Sequence, residues 1–314
     1  MTSPFPIRPF RFGIQASNAP SRAAWVDLAQ RAEGNGYSVL TMPDHFGDQL
    51  APVPAMMTAA DVTTSLRVGA LVFDNDYKHP VVLAKELATM DLLSDGRTEI
   101  GLGAGWMISD YEQAGMPYDS AGVRIDRFLE GLHIIRKSME PGTFSHSGTH
   151  YTITNYEGFP KPAQAKVPVL IGGGGKRVLG IAAREADIVG INATLHAGKI
   201  GPEAIATMTA EAVDEKVAIV AAAGAHRIAD IEMNVRTFMV NVTDDGANAR
   251  AGMASMLGVE TSMIENTPFA VIGSVDEIVE RLLERRERWG FSYVIVGQED
   301  VESFAPVVAR LAGK

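Results

Sequence analysis

Short apolar runs alternate with helix-like segments along most of the chain. The runs LRVGALVF, VPVLIG and FSYVIVG are rich in β-branched residues, as expected for strands buried on both faces of a parallel sheet. The segments SRAAWVDLAQRAEGNG and SVDEIVERLLERRERWG repeat apolar residues every three to four positions, begin with serine and end in glycine, as helices do. This pattern predicts strands at residues 10–15, 37–42, 66–73, 97–105, 167–172, 187–192, 230–242 and 291–297. It predicts helices at residues 21–36, 54–65, 79–96, 121–139, 176–186, 202–224, 244–257, 274–290 and 301–312.

The order of these elements is that of eight strand–helix units, which favours a parallel sheet with helical crossovers. Eight such units favour closure into an α/β (β/α)8 TIM barrel. An open doubly wound sheet is the alternative, but its glycine fingerprint is missing from the first strand-to-helix turn, GIQASNAPS. We predict one domain over residues 1–314, with insertions after strand four and before strand five. The second insertion, residues 142–166, contains a predicted hairpin at THYTITN.

Composition narrows the class of partner. The chain has 314 residues, of which 46% are hydrophobic and 21% are charged, an ordinary globular balance. A formal net charge of -10 without a basic run argues against nucleic acid or an anionic membrane as the partner. The chain contains no cysteine, which excludes disulfides and thiol chemistry. No apolar run has the length of a signal peptide or a membrane span, so we expect a cytoplasmic protein that acts on a small-molecule substrate.

Two polar residues follow strand two directly, Asp44 and His45 in MPDHFGD. The functional groups of a barrel lie on the loops after the carboxyl ends of its strands, so these residues are candidates for chemistry. A histidine–carboxylate pair there suits proton transfer, because imidazole titrates near neutral pH. The alternative is that Asp44 caps the next segment and His45 is an ordinary polar residue.

The strand-four segment GLGAGW carries glycine at positions 101, 103 and 105. Missing side chains at Gly103 and Gly105 permit close approach of the backbone to something flat or bulky. Trp106, which follows directly, either walls a pocket or packs as an ordinary aromatic residue.

The segment IGGGGKR at residues 171–177 combines four glycines with two cations. A Walker phosphate loop needs glycine at position 170 and Ser or Thr at position 177, where this chain has Leu170 and Arg177. The dinucleotide pattern fails at Arg177 too. Either the run is a flexible joint, or its backbone amides and the following helix N-terminus hold an anion. A bound anion explains Lys176 and Arg177, which oppose the helix dipole.

Other catalytic classes lack their signatures. The seven histidines include no helical i,i+4 pair, and no HExxH or EF-hand spacing occurs, so we expect no metal. No GxSxG elbow is present, which disfavours a hydrolase of that class.

Taken together, four segments resemble the luciferase-like monooxygenase superfamily of flavin and deazaflavin oxidoreductases. They are MPDHF, VGALVFDNDYKHPVVLAKELATMDLLSDGRTEIGLGAGW, FPKPAQAKVPVLIGGGGKRVLGIAAREADIVG and VIGSVDEIVERLLERRERWGFSYVIVG. GLGAGW and HPVVLAKE are most similar to the branch that uses coenzyme F420. The resemblance implies a TIM barrel with the cofactor ring at its mouth, hydride transfer at C5 of the deazaflavin, and a homodimer.

The resemblance also implies roles for individual residues. Asp44 touches the polar edge of the ring, and His45 exchanges a proton near the reacting carbon. A non-prolyl cis peptide at the position of Leu71 and Val72 supports the ring face. The remaining cofactor-binding candidates are Gly103, Gly105, Gly174, Gly175, Lys176 and Asn192.

The chain departs from the F420-dependent sugar-phosphate dehydrogenases at two positions. Trp106 stands where those enzymes have a proton-donating glutamate, and Ser109 aligns with their cofactor-binding asparagine. An apolar wall in place of an acid favours a ketone, an enone or another unsaturated substrate. Two alternatives stay open: an FMN-dependent monooxygenase of the same fold, and a barrel that binds a flavin or another ligand without catalysis.

Overall fold

Eight parallel strands close into a barrel surrounded by helices in the computed structural model, which describes residues 2–195 and 198–314. His196, one of the seven histidines, lies outside these residues. In order around the ring, the barrel strands are β1, β2, β3, β5, β8, β9, β10 and β13. The ring closes because β3 pairs with β5, and the predicted α/β barrel is therefore confirmed.

The elements have the following bounds in the described residues. The strands are β1 (Arg11–Gln15), β2 (Val39–Met42), β3 (Arg67–Ala70), β4 (Phe73–Asp74), β5 (Thr98–Gly103), β6 (Phe144–Ser147), β7 (Thr152–Tyr156), β8 (Val169–Gly173), β9 (Ile188–Ile191), β10 (Glu232–Arg236), β11 (Met239–Val242), β12 (Ala270–Gly273) and β13 (Phe291–Gly297). The α-helices are α1 (Arg22–Gly34), α2 (Pro52–Asp61), α3 (Pro80–Leu93), α4 (Ile108–Ala114), α5 (Ala121–Met139), α6 (Lys176–Glu185), α7 (Pro202–Ile205), α8 (Ala210–Ala223), α9 (Gly246–Leu257), α10 (Thr261–Asn266), α11 (Val275–Trp289) and α12 (Ala305–Leu311). None of these helices combines the length and apolar character that a membrane crossing needs.

Local sequence explains where the main elements begin and end. Ser21 caps α1 by accepting a hydrogen bond from the backbone N–H of Ala24 at 3.2 Å. Ser274 and Glu277 form a capping box at the start of α11, and Gly290 ends that helix in the left-handed conformation. All seven residues of β13 are buried, as expected for a strand with packed faces on both sides.

Two strands that were predicted to be continuous are each interrupted in the structure. The third strand, predicted over 66–73, is interrupted after Ala70, and the Leu71–Val72 peptide bond is cis, as the resemblance implies for this position. The seventh strand, predicted over 230–242, ends at Arg236. The second half of the predicted strand forms β11. This strand pairs with β12, residues 270–273, in a separate two-stranded sheet outside the barrel.

Several helical predictions also differ from the structure. The helix predicted over 202–224 is broken at Thr209, which caps α8, and a short 3-10 helix over Ala206–Met208 precedes it. The closing helix is shorter than predicted and covers Ala305–Leu311. The hairpin before strand five is present as antiparallel β6 and β7. The short elements α4, α10 and β12 were not predicted, because elements of four to seven residues show too little periodicity to be recognised.

A charged layer fills the lower end of the barrel, the end at which the strands begin. Arg11 bridges Glu99 at 2.7 Å and Glu232 at 2.8 Å, and Arg67 contacts the same Glu99 at 2.8 Å. The guanidinium of Arg11 also lies 3.6 Å from the centre of the Tyr293 ring. An apolar layer inside the barrel comprises Val39, Leu170, Ile188, Tyr293 and Ile295. The barrel interior is thus packed below its mouth.

Strands β3 and β5 approach each other unusually closely where the ring closes. A Cβ on Gly69 would lie 2.5 Å from the carbonyl oxygen of Glu99, and one on Gly101 would overlap the carbonyl oxygen of Ala70. A Cβ on Gly103 would lie 2.7 Å from Cγ2 of Val72. Gly101 and Gly103 of β5 therefore make room for the carbonyl group of Ala70 and the side chain of Val72.

We expect Gly101→Ala to lower the free energy of unfolding by about 3 kcal/mol, because the new methyl group has to displace a backbone carbonyl. Gly252→Ala is the matched control, since Gly252 is exposed within α9 and an added Cβ there meets nothing within 4 Å. This control should be neutral or up to about 1 kcal/mol stabilising. Urea unfolding of the two variants measures the difference, and equal midpoints would contradict the close approach at Gly101.

Candidate active site

A cavity of about 950 Å³ opens at the carboxyl ends of the barrel strands. Eleven of the twelve site residues predicted from the sequence line it: Asp44, His45, Leu71, Val72, Gly103, Gly105, Trp106, Gly174, Gly175, Lys176 and Asn192. Ser109, the second residue of α4, is not among the lining residues. The structure therefore brings together candidates from strands two to six in one space.

His45 is held by a buried carboxylate from α4. Its Nδ1 lies 2.6 Å from Oδ2 of Asp110, and the hydroxyl of Tyr77 donates to the same oxygen at 2.9 Å. An ionised carboxylate only accepts hydrogen bonds, so Nδ1 carries a hydrogen and Nε2 is the ring nitrogen left to exchange a proton. The ring of Trp106 stands edge-on to His45 with 5.7 Å between centres. The arrangement fits a proton donor or acceptor whose orientation is set by Asp110 and Trp106.

The partner of His45 was missed in the sequence. The sequence pairs His45 with Asp44, but the Asp44 carboxylate accepts a hydrogen bond from the backbone N–H of Asp74 at 3.2 Å. Burial raises the pKa of Asp44. Asp110 lies in the segment ISDYEQAG. The sequence signal for a helix there is a short mixture of polar and apolar residues that ends at Gly115.

A second buried carboxylate group lies beneath the strand-four loop. The hydroxyl of Tyr111 donates to Asp74 at 2.9 Å and contacts Asp76 at 3.2 Å, and Asp76 pairs with Arg127 at 3.1 Å. Burial raises the pKa of Asp74 to about 7. A Cβ on Gly105 would lie 2.5 Å from the Asp74 carboxylate, and the positive φ of Gly105 also favours glycine. Gly105 is therefore required by this carboxylate.

The glycine run forms a tight turn at the start of α6. Gly175 is the N-cap of α6, and no side chain caps the helix there. A Cβ on Gly174 would lie 2.6 Å from the carbonyl oxygen of Asn192 and would overlap that of Ala193. The loop after strand six thus packs directly on Gly174. The uncapped amides at the start of α6 border the cavity, which is the arrangement that binds phosphate groups in proteins.

Cations surround this turn. Lys176 and Arg177 line the cavity, and Arg177 pairs with Asp126 of α5. Lys176 forms no ion pair within residues 2–195 and 198–314. Arg124, which belongs to no recognisable sequence motif, also lines the cavity and donates to the carbonyl oxygens of Ala104 at 3.3 Å and Gly105 at 3.4 Å. This part of the cavity is suited to an anionic group.

Two further polar residues line the cavity. They are Gln15 at the end of β1 and Arg236 at the end of β10. The side-chain amide of Gln15 donates to the carbonyl oxygen of Leu71 at 3.0 Å, next to the cis peptide bond. Nε of Arg236 donates to the side-chain oxygen of Gln15, also at 3.0 Å. Neither residue was predicted, because single polar residues at strand ends carry no recognisable motif.

Metal binding finds no support in the described part of the chain. No three His, Asp or Glu side chains of residues 2–195 and 198–314 are placed to hold one ion.

We expect Asp74→Asn to become relatively more stable than the wild type as pH rises from about 4 to 7. Burial raises the pKa of Asp74 from 3.8 in the unfolded chain to about 7 in the folded protein. The protonated carboxyl group of the wild type therefore contributes its full stability below pH 3.8, and this contribution is lost as pH rises through 7. The slope should approach about 1.4 kcal/mol per pH unit at most. Urea unfolding at several pH values measures it, with the exposed Asp61→Asn as control. A stability difference that does not change with pH would show that Asp74 is ionised throughout.

Residues 7–293 match a protein-family model described as luciferase-like monooxygenase. An F420-dependent glucose-6-phosphate dehydrogenase from Amycolatopsis mediterranei is 29% identical over 170 residues, which cover 52% of this chain and 51% of that protein. The aligned region thus spans about half the length of this curated relative.

Solved structures share the barrel. A coenzyme F420 dependent tetrahydromethanopterin reductase from Methanopyrus kandleri has a TM-score of 0.78 at 18% identity and covers 96% of this chain and 99% of its own. A type II Baeyer–Villiger monooxygenase from Pseudomonas putida, in complex with FMN, has a TM-score of 0.70 at 15% identity and 96% coverage of both chains. At these identities the structural matches show the fold. Because the family model matches residues 7–293, this protein belongs to the luciferase-like monooxygenase family.

Proposed function

We propose that this protein is an F420-dependent oxidoreductase that transfers a hydride between C5 of the deazaflavin and an apolar carbonyl or unsaturated substrate. The observation that carries the proposal is the presence, in one cavity, of the His45–Asp110 pair and a glycine cradle at the start of α6. The relative from Amycolatopsis mediterranei, which is named as F420-dependent, supports the choice of cofactor.

The residues at the cradle fit the anionic part of such a cofactor. The amides at Gly174 and Gly175 would hold its phosphate, because the start of α6 has no side-chain cap and these glycines line the cavity. Lys176 and Arg124 would attract the remaining negative charge. When bound, F420 supplies the two-electron hydride chemistry. Leu71 and Val72 would support the face of its ring.

The proton that accompanies the hydride is assigned to His45. Asp110 fixes the ring so that Nε2 remains available, and Tyr77 keeps that carboxylate in place. Asp110 acts through His45 and is a positioning residue. Trp106 covers the imidazole edge and helps to exclude water from the reacting atoms.

The substrate is assigned from the lining of the cavity. Trp106 presents an apolar surface where a sugar-phosphate dehydrogenase needs an acid, and the wall continues with apolar side chains. These are Ile200, Ile205, Met208, Phe238, Met239, Leu257 and Met263. A ketone or enone with an apolar body matches this wall better than a sugar phosphate does.

An FMN-dependent monooxygenase is the second candidate. The FMN-bound monooxygenase from Pseudomonas putida shares the fold, and the same glycine cradle would accept the phosphate of FMN. A barrel that binds its ligand without catalysis is the third. It is disfavoured by the His45–Asp110 hydrogen bond, which a purely binding protein does not need.

We expect the purified protein to bind F420 at least 10-fold more tightly than FMN, as judged by absorbance or fluorescence titration. Gly174→Ala should weaken F420 binding by about 10-fold or more, because its methyl group removes the close packing of the cradle on the loop after strand six. Gly180→Ala, within the following helix α6, is the control, since the nearest atom to its Cβ is at 3.5 Å. Tight binding of FMN with no measurable binding of F420 would favour the second candidate.

We expect His45→Ala to lower kcat about 100-fold or more, because general acid–base catalysis contributes on this scale. Asp110→Asn should lower kcat on the order of 10-fold, because an amide can also donate to Nδ1 and no longer fixes which ring nitrogen of His45 carries the hydrogen. The assay follows reduced F420 with a panel of ketones and enones and with glucose 6-phosphate, which should not react. Glu112→Gln, exposed in the same helix, is the matched control. Full turnover by His45→Ala would exclude its role in proton transfer.

A further inference from the structure

Arg236 is a cation in the cavity wall that forms no ion pair with a carboxylate of residues 2–195 and 198–314. It is the last residue of β10 and lines the cavity. Its Nε donates to Gln15 at 3.0 Å and its Nη1 to the carbonyl oxygen of Thr237. Among the described residues, Nη2 has no hydrogen-bond partner, and no carboxylate lies within 4 Å of the guanidinium.

The surroundings of Arg236 leave its charge only partly compensated. The nearest acids, Glu299 and Asp300, follow β13 and act on it from beyond ion-pair distance. Burial lowers the pKa of Arg236, which shows that the loss of water around the guanidinium outweighs the attraction of those acids. Arginine remains charged even so, and a partly buried charge favours a ligand that pairs with it.

Arg236 also lies at the start of the apolar wall. Its guanidinium carbon is 5.2 Å from the centre of the Phe238 ring, and Phe238 stacks on Phe269 with 6.1 Å between centres. Met239, Leu257 and Met263 extend this wall from β11, α9 and α10. A cation therefore adjoins an apolar surface, and its contact with Gln15 connects it to the carbonyl oxygen of Leu71.

We propose that Arg236 binds the carboxylate of an amphipathic substrate whose apolar body packs along Phe238, Met239 and Met263. The carboxylate accepts hydrogen bonds from the free guanidinium N–H groups, a geometry for which arginine is well suited. Arg236 is thus a specificity-determining residue. The inference deepens the proposed function by naming a substrate class for the same cavity, and its test measures binding without turnover.

The test compares octanoate with octanamide, which has the same size and no charge, by calorimetry on the full-length protein with and without F420. The wild type should bind octanoate about 10-fold or more tightly than octanamide, because hydrogen bonds between charged groups are the stronger kind. Arg236→Met should bind the two ligands equally, and Arg236→Lys should keep part of the preference. Arg184→Met, exposed on α6, is the matched control and should behave as the wild type.

Each outcome decides the inference. Equal binding of the two ligands by the wild type, or an intact preference in Arg236→Met, overturns it. If Arg236→Met does not fold, as judged by circular dichroism, the wild type and Arg236→Lys still decide. Loss of F420 affinity in Arg236→Met with an unchanged octanoate preference would assign Arg236 to the cofactor and overturn the inference. Failure of the wild type to bind F420, with its octanoate preference intact, would reject the proposed cofactor and leave the carboxylate site standing.

Discussion

Closure of the barrel depends on the close contact between β3 and β5. At this seam the backbone of each strand occupies the space that a side chain on the other would need, at Gly69 against Glu99 and at Gly101 against Ala70. The same contact positions the cis peptide bond after Ala70 and the glycine-rich end of β5 on one wall of the cavity. The architecture of the mouth therefore follows from a packing constraint inside the sheet.

Acidic and basic groups reach the cavity from different elements of the fold. Acidic groups and His45 come from the loops after strands two to four, where Asp74 and Asp110 are buried. Cations come from α5 and α6, at Arg124 and Lys176. Because low-polarity surroundings strengthen such fields, an anionic group in the cavity gains by lying near the cations of α5 and α6.

Local patterns sufficed for most of the fold and for part of the site. The eight barrel strands follow from apolar runs, and Asp44, His45 and the glycine cradle follow from their positions after strands. The residues that were missed share a different origin. Asp110 meets His45 from 65 positions along the chain, and Arg236 meets Gln15 from 221 positions away. Such partners are determined by tertiary packing, which no local pattern encodes.

The segment between β10 and α11 has a core of its own. Ala254, Ile264, Ala270 and Ile272 pack together apart from the main core, and the segment joins that core through Phe269 and Val271. Its residues supply much of the apolar wall, while the charged layer at the opposite end of the barrel is remote from them. Changes of side chain in this segment can therefore alter which molecules the cavity admits without touching the contact between β3 and β5 that closes the barrel.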